Sequence, residues 1–341
     1  MFKAIDFFCS IGGVSLGFKQ AGIKVLGGID IDESCKETYE KNIDAKFLAE
    51  DVSLLNFKKI ATEFGIRRNQ RNLIFVGCSP CQYYSNIKTD KEKSSKTRLL
   101  LADFQEFVMY FRPGYVFIEN VPGLETKIDS PLGQFKNFLK NNGYVFDDNV
   151  LNAKYFGVPQ NRRRYILIAT RIKKQIKLPE GNKELIKTVR DAIGDYRKYP
   201  RINNGRIDTT PFIHTSAILS EINLKRIKNT PYDGGGRLDW RDIDLQPSCY
   251  KKHKGHTDVY GRMHWDKPAP AITTRFVSYS NGRYGHPEQD RAISLREGAT
   301  LQSFPEDFVF YSKSQGTIAK MIGNAVPPLF AKAVAEELLN L

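Results

Sequence analysis

The chain has 341 residues, 41% of them hydrophobic, which is long for one domain and ample for two. Lys plus Arg number 52 against 38 for Asp plus Glu, a formal charge of +14 with a pI of about 9.4; this favours a polyanionic partner, nucleic acid first, with a merely soluble basic enzyme as the plainer alternative. Five scattered cysteines (Cys9, Cys35, Cys78, Cys81, Cys249) do not make a disulfide framework and point to a reducing compartment. No apolar run is long enough to span a membrane, and the start, with Asp6 and its glycines, does not read as a secretory leader.

Residues 3–8 form a short apolar strand, 9–13 a small-residue turn, 14–21 a helix, and 24–29 a second strand ending at Asp30. A glycine turn between strand and helix, with an acid after the next strand, suits an adenosine ligand: backbone approaches closely, the helix N-terminus offers N–H donors, and Asp30 accepts from ribose hydroxyls. A purely structural turn is the competing reading. Asp51 follows a short apolar stretch and either caps the next segment or contacts the ligand. Residues 73–77, LIFVG, read as a buried strand that stops at Gly77 and delivers Cys81 on a turn stiffened by Pro80. In an open α/β sheet that is where chemistry sits. The following basic stretch, 86–98, has no apolar period and suits a loop closing over phosphates.

A helix over 99–111 precedes the strand 115–121, YVFIENV. Glu119, at the end of that strand, is either a general acid or a salt-bridged structural carboxylate. A helix over 132–141 and paired strands 145–151 and 164–170 follow, with three arginines, Arg162 to Arg164, leading into the last. From 171 the strand–helix alternation fades. Residues to about 290 are rich in Gly, Asn, Tyr, Arg and Lys, with strand-like pieces such as 271–279. Arg237, Arg275 and the aromatics Tyr250, Tyr260 and Trp265 suit a nucleic-acid surface, a generic β-rich cap being the alternative. His253, His256 and His264 fit no closed zinc site with Cys249, so no metal is assigned. Helical patterns at 292–304, 317–321 and 329–341 close the chain.

Six short motifs occur in one order: Phe8-Cys9-Ser10-Ile11-Gly12-Gly13, Pro80-Cys81-Gln82, Glu119-Asn120-Val121, Gln160-x-Arg162-x-Arg164, Arg296-Glu297 with Leu301-Gln302-x-Phe304-Pro305, and Gly323-Asn324-x-Val326-Pro327. In that order they resemble the DNA (cytosine-5) methyltransferases of prokaryotic restriction-modification systems. The resemblance implies an α/β fold: a Rossmann-like S-adenosylmethionine-dependent domain over 1–170, completed by 310–341, and a smaller, irregular β-rich target-recognition domain over 171–309. It implies Cys81 as the nucleophile toward carbon 6 of a flipped cytosine, Glu119 as the acid, and Arg162 and Arg164 at the flipped nucleotide. It implies cofactor contacts at Phe8, Ser10, Ile11, Gly13, Asp30, Ile31, Asp51, Val52, Pro80, Asn324 and Val326, with Ile31 standing where the family often has an aromatic residue. Gln82, Ser85, Arg237 and Arg275 are assigned to DNA. The implied setting is a monomer on duplex DNA in a prokaryotic cytoplasm, associated with the nucleoid, with a restriction endonuclease as a functional rather than physical partner. Three rivals stay open: a tRNA cytosine-5 methyltransferase, a non-catalytic DNA-binding relative, and a thioredoxin-like role for Cys78-x-x-Cys81.

Overall fold

The run Leu73–Gly77 is buried at all five positions and lies at the centre of a seven-stranded sheet. A strand buried on both faces has to be apolar throughout, which is why this segment does not alternate. The computed structural model describes residues 1–80, 100–126, 130–251 and 255–340. The strands are β1 (Lys3–Phe7), β2 (Lys24–Asp30), β3 (Lys46–Ala49), β4 (Leu73–Gly77), β5 (Tyr115–Asn120), β6 (Val145–Asn152) and β7 (Arg163–Thr170). Their order is β3-β2-β1-β4-β5-β7-β6, with β1 to β5 parallel and β7 antiparallel to both neighbours. The expected pairing of the two late strands is therefore present. The helices of this layer are α1 (Gly13–Gln20), α2 (Lys36–Ile43), α3 (Phe57–Phe64), α4 (Leu100–Phe111), α5 (Leu132–Asn141) and α6 (Pro328–Asn340).

The order reverses between β1 and β4, the topological switch point at which ligands of open α/β sheets bind. Phe7, Phe75, Phe104 and Phe107 pack ring to ring beneath it, with centroids of Phe7 5.1–5.2 Å from the other three. The chain divides into two compact units. The first, Met1–Phe156, Arg163–Asn182 and Val326–Leu341, holds the sheet. Its closing helix α6 packs on α1, and glycine makes that contact possible. A Cβ at Gly17 would lie 2.5 Å from the Pro328 carbonyl oxygen and 2.7 Å from the Lys332 amide nitrogen.

The second unit is Gly157–Arg162 with Lys183–Ala325, so its bounds differ from the expected 171–309: the helix Gln315–Asn324 belongs to it. It is irregular, as expected, but not β-rich. Among the described residues its strands are Gln160–Asn161 paired with Ala269–Pro270, plus isolated bridges of Gly285 to Arg262 and Ala292. The stretch 271–279 is turns rather than a strand. Buried arginines do here what a ladder does elsewhere. Arg262, fully buried, donates to the carbonyls of Ile227, Thr230, His286 and Gln289 and pairs with Asp290. Arg296 donates to the carbonyls of Phe212, Pro305 and Phe308. Five N–H donors in a rigid fork can satisfy several loop carbonyls at once, and a charge is tolerated inside only when paired in this way.

Arg291 and Glu297 form a buried two-bond pair, both bonds 2.7 Å, with His286 Nε2 3.7 Å from the same carboxylate. The two arginine bonds and the His286 charge hold Glu297 well below the carboxylate range against the desolvation that would raise it. Desolvation takes His286 down to about 3. Both groups bind fewer protons folded than unfolded, so stability falls with pH, from about 6.5 toward 3 through His286 and from about 4.5 downward through Glu297. Both tryptophans, Trp240 and Trp265, lie in this unit, and Trp265 meets the His286 ring edge-on at 5.3 Å. Tryptophan fluorescence during acid titration should therefore change between roughly pH 6 and 4, and His286→Gln should move the change to lower pH. In the first unit, Gly17→Val should cost about 1–3 kcal/mol in urea unfolding, the scale of overpacking a close helix contact.

Candidate active site

The turn after β1 is held in a conformation that side chains ordinarily avoid. Phe8 and Ser10 have φ of 63° and 48°, and Gly12 has 85°. Such non-glycine residues are strained, and strain of this kind gathers at ligand sites. The turn is fixed by bonds from Cys9 N to Ile29 O (3.0 Å), Gly12 N to Cys9 O (2.8 Å) and Ser10 N to Asp30 Oδ2 (2.8 Å). Asp30 Oδ1 accepts from Asp32 N at 2.8 Å. Backbone N–H groups on both carboxylate oxygens fix the orientation of the Asp30 side chain.

Ile31, immediately after it, is 70% exposed, an apolar side chain that would gain by covering a flat ring. Ile11 is buried. A Cβ at Gly13 would stand 2.2 Å from Val326 O, so two of the expected cofactor residues meet here, and glycine is required by the Val326 backbone itself. Asp51 caps the turn Val52–Leu54, its Oδ1 accepting from Ser53 N and Oγ, and Val52 lies in the hydrophobic core. For Asp51 the capping alternative describes the geometry. Asn324 closes the second unit's helix Gln315–Asn324 and is exposed.

At the other side of the switch point Cys78 N donates to Phe7 O at 3.3 Å, tying the exit of β4 to the exit of β1. Asn120 Nδ2 donates to Ser79 O at 3.2 Å, tying β5 to the same segment. Pro80 is exposed. Cys81, Gln82, Ser85 and the basic stretch 86–98 lie outside the described residues. Desolvation, then the nearby Glu119 charge, push the Cys78 thiol well above its ordinary pKa. A thiol kept neutral is a poor nucleophile, which weighs against the redox reading of Cys78-x-x-Cys81.

Glu119, 8% exposed, accepts from Arg164 Nε at 2.9 Å. Register explains the meeting: Asn120 lies opposite Tyr165 in the antiparallel β5–β7 pair, so the residues one step away are diagonal neighbours. Burial pulls the Arg164 guanidinium below its ordinary pKa and the Glu119 charge opposes that.

The Gln-x-Arg-x-Arg motif divides its work. Gln160 Nε2 donates to Leu301 O and Gln302 Oε1, and Gln160 Oε1 accepts from Ile272 N. Arg162, 3% exposed, donates to the carbonyls of Ile272, Gly323 and Ala325. These bonds fasten loops of the second unit. Arg237 is engaged within its own unit as well. It is 2% exposed, donates to Gly255 O and His256 O, and lies 4.4 Å from the Tyr250 ring centroid. Arg275 is exposed. The buried hubs Arg262 and Arg291 carry no signal in the sequence beyond being arginines in an irregular segment.

A family model described as C-5 cytosine-specific DNA methylase matches residues 2–340. The chain belongs to that family. Its reaction is methylation of cytosine at carbon 5 in DNA. Among curated relatives, the Type II methylase M.HgiDII of Herpetosiphon aurantiacus is 37% identical, over 98% of this chain and 94% of the relative. The Type II methyltransferase M1.HphI of Haemophilus parahaemolyticus is 32% identical over 99% and 86%. Among solved structures, the Entamoeba histolytica methyltransferase EhMeth superposes with a TM-score of 0.68 at 17% identity, covering 100% of this chain and 98% of that one, a likeness of fold.

Within the methylase the Glu119–Arg164 pair can be tested directly. Glu119→Ala leaves a buried guanidinium without its carboxylate and should cost roughly 3 kcal/mol in denaturant unfolding. The double variant Glu119→Leu with Arg164→Met should recover most of that stability.

Proposed function

We propose that this methylase transfers a methyl group from S-adenosylmethionine to a cytosine flipped out of duplex DNA, through a covalent bond between Cys81 Sγ and carbon 6. The observation that supports the reading is a bond between two turns: Cys78 N to Phe7 O holds the strained 8–12 turn beside residues 78–80, which Cys81 follows in the sequence.

The 8–12 turn, the Asp30 carboxylate and exposed Ile31 are the residues that would hold the donor's amino-acid, ribose and adenine parts. S-adenosylmethionine supplies an electrophilic methyl group on a sulfonium. The chain does the rest. A thiol of ordinary pKa is only roughly 3% thiolate at neutral pH, so Cys81 depends on a positive, polar turn. Attack by the thiolate at carbon 6 moves the ring electrons toward N3 and carbon 5. Glu119 receives that change at N3 and the exocyclic amine and works as an acid when its carboxyl carries or shares a proton. Arg164 fixes its orientation at 2.9 Å. Carbon 5 would then take the methyl group as the sulfonium S–CH3 bond breaks and S-adenosylhomocysteine leaves, after which a base removes the proton at carbon 5 and the C6–S bond breaks to return the thiolate.

Carbon 6 is unreachable within a stacked pair, so the base has to leave the duplex at a cost of a few kcal/mol. The second unit is assigned target recognition, with exposed Arg275 among the groups facing DNA, and Gln82, Ser85 and 86–98 holding the opened site. The names of the relatives support a restriction-modification setting. Cys81→Ser should abolish methyl transfer while leaving duplex binding. A duplex carrying 5-fluorocytosine should trap an adduct on denaturing gels, because fluorine at carbon 5 cannot leave as a proton. Label appearing on tRNA alone, or no adduct, would overturn the proposal.

A further inference from the structure

Below the 8–12 turn lies a chain of polar side chains that the methyl-transfer reading does not use. Asp6 sits within β1, where its neighbours Ala4, Ile5 and Phe7 are core, and is 2% exposed. Ser15 Oγ donates to Asp6 Oδ2 at 2.7 Å and lies 2.9 Å from the Tyr39 hydroxyl. Asp6 Oδ1 has no hydrogen-bond partner among the described residues. The three residues come from β1, α1 and α2.

Tyr39 packs directly against the turn and the strand beside it. A Cβ at Gly12 would lie 2.9 Å from its ring and one at Gly28 2.7 Å. Gly12, the N-cap of α1, has no side chain to offer the first helical turn. The Asp6 carboxyl instead ties that first turn to β1 through the Ser15 hydroxyl. A buried carboxyl with one orphan oxygen is stable as the neutral acid and costly as the anion.

We propose that Asp6 is a positioning residue for the methyl donor: as the neutral acid it holds the first turn of α1 and the 8–12 turn in their binding conformation, and its ionisation loosens both. The proposal rests on the assignment of that turn to S-adenosylmethionine. Burial raises Asp6 to about 7, with Ser15 opposing and the Asp30 charge adding to the rise. Besides the Asp30 carboxylate, the hydroxyl and thiols packed around it stay neutral at that pH. Burial pushes Tyr39 from α2, Cys9 in the turn and Cys78 after β4 well above their ordinary ranges. Asp6 is therefore the group in this cluster that changes charge near neutrality.

The test is equilibrium binding of S-adenosylhomocysteine to the full chain by calorimetry, from about pH 5.5 to about pH 8.5. The wild-type Kd should rise by about threefold or more with a midpoint near 7. Asp6→Asn keeps the shape and cannot ionise, so its Kd should stay flat across the range. A flat wild-type curve, or an Asn variant that follows the wild-type curve, overturns the proposal. Should Asp6→Asn fail to fold, Tyr39→Phe decides: removing the hydroxyl behind Ser15 should displace the wild-type midpoint, and an unmoved midpoint overturns it. No binding at any pH by the wild-type chain would mark failure of the cofactor assignment itself, taking this proposal with it.

Discussion

One backbone hydrogen bond, Cys78 N to Phe7 O at 3.3 Å, stands for the constraint on which the site depends. The chain leaves β1 toward β2 and β3, then returns to lay β4 on the other side of β1. Two turns that are remote in sequence are thereby left side by side at the carboxyl ends of adjacent strands. Each turn is specialised by the residues that stop its strand. Gly12 and the left-handed Phe8 and Ser10 bend one, and Gly77 with Pro80 bends the other. Substituents at Gly77 would run into Phe104 and Ile118, so the second stop is also fixed from beneath by the core. The phenylalanine cluster below the sheet makes this junction rigid, since close-packed interiors do not deform continuously.

The sheet was legible in the sequence because each of its signals is local. Buried parallel strands give continuous apolar runs, and 73–77 and 115–120 show them plainly. For Glu119 the geometry shows the salt bridge, at the end of its strand. Asp51 was ambiguous for the same local reason, and the 51–54 turn shows it capping.

The second unit was not legible, and the cause is physical. Its interior is held by long-range bonds from guanidinium groups to single carbonyls, such as Arg262 to Ile227 and His286. Such bonds leave no period in the sequence, unlike a helix face or a strand. Arginine also meets aromatic rings within the chain: Arg226 lies over Tyr260 at 5.0 Å, Arg262 over Tyr232 at 4.7 Å and Arg296 over Phe212 at 5.1 Å. The same two residue types that read a base can build a fold without regular structure.

This double use of arginine changes what the charge of +14 means for DNA. Arg162, Arg237 and Arg296 are each at most 3% exposed and bonded to carbonyl oxygens of their own unit. They contribute to net charge but, being buried, are not among the surface groups that release counterions from phosphates. Arg291 and Glu297 cancel as a buried pair. The charge available for phosphate contacts is therefore the exposed subset, and the salt dependence of binding follows that subset rather than the composition. The sequence correctly favours a polyanion as partner, while the contacts have to come from side chains that the fold has not already used.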